Sequence, residues 1–176
     1  MDVSTDAMLV YGYVWKDEHD LFGVDDEDFD DDDRDEPEWE ETIAAQRGIL
    51  NPWAEHADEL ARIEAIQPYA ESRRLGEEWT AAHRAELDAW HAAKKAIAGE
   101  YGVEVDRHGS DQWTVPVVKI AGAGHTAARG YPRKLAAADL AVDPEWDAKL
   151  QRFVTDLGID ASEAEGPGWF LMSWWG

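Results

Sequence analysis

The chain has 176 residues, 44% of them hydrophobic, no cysteine and a formal net charge of −23. That length suits one domain with a sizeable core, and the absence of cysteine excludes disulfides and thiolate metal sites. No apolar run approaches the ~20 residues of a membrane helix, and a surface this acidic repels phosphates, which argues against direct nucleic-acid binding.

The opening residues MDVSTDAMLVYGYVW carry Asp2 and Asp6 where a signal peptide has a basic region, so the sequence predicts a cytoplasmic protein. Residues 7–15, AMLVYGYVW, hold no charged side chain and are rich in aromatic and β-branched types, which predicts a strand.

The charge then becomes local. From Asp17 to Glu41 there are 16 acids against one base, Arg34, whereas residues 42–176 carry only −7. The stretch reads as an acidic insertion, 17–41, within a single domain spanning 1–176. It is not a calcium loop. A register starting at Asp26 places Asp31 where glycine is needed and Pro37 where the bidentate glutamate belongs, and one starting at Asp25 puts Phe29 at a ligand position.

The run does resemble nucleic acid in charge density. Duplex DNA carries a phosphate per ~3.4 Å on each strand. An extended chain rises ~3.3 Å per residue, so 25–36 presents a comparable line of charge over ~40 Å. The candidate partner-facing residues are therefore Asp25, Asp26, Glu27, Asp28, Phe29, Asp30, Asp31, Asp32, Asp33, Asp35, Glu36 and Trp39. The two aromatics orient the segment on a partner or anchor it to its own domain.

Four helices follow from pattern. One spans Pro37 to about Arg47 and is stopped by Gly48. A second runs from Pro52, with Trp53, Ala57, Leu60 and Ile63 on one face. The third covers 70–100 as one continuous helix. Its Leu75, Trp79, Leu87, Trp90, Ile97 and Tyr101 fall within about 120° of one another, and Gly102 ends it. The fourth opens at Asp143-Pro144 and closes at Gly158, with Trp146, Leu150, Phe153 and Leu157 in a stripe.

His83 and His91 lie on helix three, eight residues apart, too far to share a metal as an i, i+4 pair does, and Glu86 stands three residues after His83. They read as core or boundary histidines, and no metal or cofactor is expected.

Between helices three and four, GVEVDRHGSDQ and WTVPVVKIAGAG predict two strands turning at His108-Gly109-Ser110, with Pro116 marking an edge or bulge. The following segment GHTAARGYPRKL reads as a basic loop. Its His125, Thr126, Arg129 and Arg133 form an alternative anion site, although Ala127 stands where a dinucleotide loop needs its third glycine.

The end, GPGWFLMSWWG, is a strand. Neither it nor residues 7–15 alternates apolar with polar, so both faces of both strands should be covered. The simplest arrangement pairs them at the middle of a small sheet. The expected fold is α+β: a small, mainly antiparallel sheet of about four strands, N- and C-terminal strands central, with about four helices.

Three functions are carried forward. The first is a non-enzymatic inhibitor or regulator of a basic protein, a nucleic-acid-binding enzyme, of the DNA-mimic, phage anti-defence or immunity-protein kind. The second is a small enzyme using the 122–133 loop on an anionic substrate. The third is a viral structural or assembly protein.

Overall fold

The computed structural model describes residues 5–15, 39–110 and 113–175. The fold is α+β, with six helices and an antiparallel sheet of five strands. The described residues fall into two compact units, one formed by 5–15 with 101–175 and one by 39–100.

The first unit holds the sheet. Strand β1 (Thr5–Trp15) is its central member. Strand β5 (Ala164–Trp175) runs antiparallel along its whole length, pairing Met8 with Met172 and Val10 with Phe170. The other edge of β1 is shared. Strand β3 (Trp113–Ile120) pairs with Gly12–Val14, and the short β4 (His125–Ala127) pairs with Ala7–Leu9. Strand β2 (Val103–Ser110) pairs with β3 and forms the far edge of that path.

The pairing of first and last strands is as expected, and two details differ. The β2–β3 pairing runs on to Ser110↔Trp113, so His108 lies within a strand opposite Val115 and not in the turn. Residues 125–127, expected in a loop, are a fifth strand, because β1 extends beyond β3 and its backbone groups over 7–9 need partners there. Pro116 lies one residue past the last pair with β1, Val14↔Val117, where a missing N–H costs no ladder bond on that side.

Consecutive strand residues face opposite sides of a sheet. Val10, Tyr11, Tyr13 and Trp15 are all buried, so β1 is covered on both faces, as its uninterrupted apolar run requires. The same expectation fails for β5. Trp169 and Phe170 are half-buried, Ser173 is exposed and Leu171 is 75% exposed. Helix α6 (Trp146–Leu157) packs mainly against β2 and β3, which leaves β5 at the margin of the covered area.

The core beneath α6 comprises Leu150, Phe153 and Val154 with Val103, Val118 and Ile120, all buried, while Val117 is buried on the opposite face of the sheet. Gly12 is required by close approach, since a Cβ there would lie 2.0 Å from the Val118 carbonyl oxygen. The helix starts at Trp146 after a turn in which Asp143 accepts from the Glu145 N–H at 2.9 Å, and Gly158 ends it with a φ of +69°.

The polar tips of the aromatic residues find acceptors, as burial demands. The Tyr11 hydroxyl donates to Asp147 at 2.7 Å, Tyr101 to Asp156 at 2.6 Å, and the Trp15 indole N–H to the Asp160 carbonyl at 3.1 Å. Burial and the Asp147 carboxylate together push the Tyr11 phenol up to about 12.

The second unit is helical: α1 (Trp39–Gln46), α2 (Pro52–Glu55), α3 (Ala57–Glu64), α4 (Tyr69–Ala82) and α5 (Arg84–Tyr101), whose last residue belongs to the sheet unit. Both of the longer expected helices are broken, each at a histidine. His56 separates α2 from α3, and His83 separates α4 from α5. At the second break the Trp79 carbonyl accepts both the backbone N–H of His83, at 3.0 Å, and its ring Nδ1, at 2.9 Å. Side-chain bonding back to the i−4 carbonyl competes with the helical ladder.

The apolar stripe survives the break, with Trp79, Leu87, Trp90 and Ile97 buried. The face expected on helix two does not: Trp53 is 39% exposed and Ala57 is exposed, because α2 lasts only four residues before the chain turns. No described helix is long and apolar enough to cross a membrane.

Candidate functional site

Residues 16–38 lie outside the described residues, and with them Asp25, Asp26, Glu27, Asp28, Phe29, Asp30, Asp31, Asp32, Asp33, Asp35 and Glu36. The structure describes what holds each end of this span. Before it, Trp15 is buried with its indole bonded to Asp160. After it, Trp39 is buried at the first turn of α1, so its ring anchors the span to its own helical unit and is no exposed contact. Glu40 and Glu41 follow in that turn, where negative charge opposes the positive end of the helix. Lys94 donates to Glu41 at 3.1 Å with its Nζ 4.4 Å from the centre of the Trp90 ring, and Asn51 donates to Glu41 at 3.4 Å.

Seven of the described bases are paired with acids outside 16–38. Arg47 pairs with Glu100, Arg73 with Glu77, Arg74 with Glu71 and Glu78, and Lys94 with Glu41. Lys119 pairs with Glu104 and Asp106, Lys149 with Glu145, and Arg152 with Asp156. The Arg74 guanidinium holds the Glu71 carboxyl below its ordinary range. Seven of the chain's 16 Lys and Arg residues are thus engaged with acids of the described part.

The alternative anion site is differently built from its sequence reading. His125 sits in β4, opposite Leu9, with its ring stacked 6.0 Å from Trp169. Its Nε2 is 2.9 Å from the Asp139 carbonyl, which can only accept, so Nε2 carries the proton. Thr126, Arg129 and Arg133 are exposed. An open groove of about 690 Å³ lies in the helical unit, lined by Ala45, Ile49, Leu50, Ala54 and Trp90 with Glu41 and Glu55, and residues 122–133 take no part in it.

One group of side chains escapes the sequence. His56, Glu59 and His83 bring ligand-capable atoms within 4.8 Å of one another. His83 is visible on its helix, but its partners are 24 and 27 residues earlier, and only the packing of α3 against α4 unites them. His91, the partner weighed for it in the sequence, is exposed.

Neither protein-family models, nor curated proteins, nor solved structures give a match to this chain.

Proposed function

We propose that the protein is an acidic inhibitor or regulator that docks its segment from Asp25 to Glu41 into the cationic groove of a basic, nucleic-acid-acting protein. The observation that carries this reading is the placement of charge: 16 acids and one base from Asp17 to Glu41, beside a folded part in which six bases pair with acids outside that stretch. A groove shaped for phosphates offers the complementary field, and long-range attraction speeds encounter at low salt.

In this reading the buried Trp39 and the Lys94–Glu41 pair hold the C-terminal end of the segment, which lowers the entropy lost when a partner engages it. Phe29 supplies the apolar contact that sets orientation.

The test is parallel capture from extracts of the source organism at low salt, using the natural chain and a variant with Asp30 to Asp33 replaced by Asn and Ser. The expected result is a basic nucleic-acid enzyme retained by the natural chain, lost with the variant, and displaced by duplex DNA. Equal retention by both chains, or a partner that DNA does not displace, contradicts the reading.

A further inference from the structure

We propose that His56, Glu59 and His83 form a binding site for a first-row divalent transition-metal ion, with Zn²⁺ the ion best matched to its donors. The inference is independent of the docking reading, because it rests on the helical unit alone.

Two imidazoles and one carboxylate are a ligand set that suits Zn²⁺ and its neighbours and is poorly matched to Mg²⁺ or Ca²⁺, which take oxygen. Tetrahedral zinc with bonds of 2.0–2.2 Å puts its ligand atoms about 3.3 Å apart. His56 Nδ1 and Glu59 Oε2 are already 3.6 Å apart, and all three ligand atoms lie within 4.8 Å of one another. Small rotations of surface-reaching side chains close the remainder. Both histidines are half-buried and Glu59 is exposed, so an ion has a path in.

The surroundings are what a metal site needs beyond its ligands. Metal-bound histidine normally donates its other ring N–H to an oxygen, which fixes the tautomer. His83 Nδ1 lies 2.9 Å from the Trp79 carbonyl, so it carries the proton and Nε2 keeps its lone pair for a metal. The same Trp79 donates its indole N–H to Glu59 Oε2 at 3.3 Å, orienting the carboxylate. Its buried ring stacks on His83 at 4.3 Å and meets His56 edge-on at 5.6 Å. When His56 binds through Nδ1, its Nε2 faces Glu86 Oε2, now 3.9 Å away, as an orienting acceptor. Both helix breaks therefore have a common product: each presents an imidazole to one point. Three protein ligands leave a fourth position for water or an anion.

Zn²⁺ titration of the full chain by calorimetry tests this, with Mg²⁺ in large excess to occupy the acidic run. One Zn²⁺ per chain is expected, and Co²⁺ in its place should show the strong visible bands of a tetrahedral site. His56→Gln and His83→Gln should each weaken Zn²⁺ by more than about 100-fold, and Glu86→Gln by about 10-fold, the range for an orienting partner. His91→Gln should leave affinity unchanged. Should either histidine variant lose the native circular dichroism spectrum, Glu59→Gln decides, with a loss above about 10-fold expected. The proposal is overturned if Mg²⁺ abolishes Zn²⁺ binding, if the folded ligand variants bind like the natural chain, or if only replacing Asp30 to Asp33 removes binding.

Discussion

The sheet unit and the helical unit both pair acids with bases, and they differ in what their best-placed carboxylates do. In the sheet unit Asp147 and Asp156 are hydrogen-bond acceptors for Tyr11 and Tyr101, so carboxylates complete an aromatic core. In the helical unit Glu71, Glu77 and Glu78 pair with Arg73 and Arg74 on an exposed surface, where ion pairs add little stability. The run 25–36 is a third case in sequence, with one base beside ten acids. Total charge therefore says less than neighbourhood. An acid beside a phenol holds a fold, an acid beside an arginine solvates a helix, and acids among acids need charge from elsewhere.

The contrast can be broken first at the sheet core. Phe153, fully buried and 5.8 Å from the Tyr101 ring, should cost about 4 kcal/mol when replaced by alanine, read by denaturant unfolding. Next is Gly12→Ala. Its Cβ would meet the Val118 carbonyl, a backbone atom that cannot swing aside, and a loss of about 3 kcal/mol is expected.

Tyr11→Phe sharpens the contrast with a smaller effect, about 1.5 kcal/mol at neutral pH from one bond to a carboxylate. It also has a pH signature. The folded phenol keeps its proton up to about 12, while the unfolded chain releases it near 10. Between those values the native state binds more protons, so stability falls as pH rises through that window. The variant should flatten that fall, leaving the smaller part due to Tyr13, whose phenol burial also pushes up.

Much of the frame was legible in the sequence because it follows from local rules. The uncharged run 7–15 is a strand covered on both faces where it is most apolar, and Gly158 and Gly102 stop their helices with φ values of +69° and +63°. The helix breaks were not legible. Neither proline nor glycine marks His56 or His83, and the ring nitrogen that shares the Trp79 carbonyl with the backbone at His83 is not registered by periodicity. Three-residue β4 was hidden for a related reason, since its pairing depends on how far β1 overshoots β3. The exposure of Leu171 shows the limit of reading a face from an apolar run, because coverage also depends on where a helix lands. The His56–Glu59–His83 group was out of reach, being assembled from separate helices.

The most direct measurement is the association rate of the captured basic partner with the natural chain and with the Asp30-to-Asp33 variant, over a range of salt concentrations. The account predicts that the natural chain associates quickly and slows steeply as salt rises, while the variant is slower and much less sensitive. Rates and salt slopes that coincide for the two chains would contradict it.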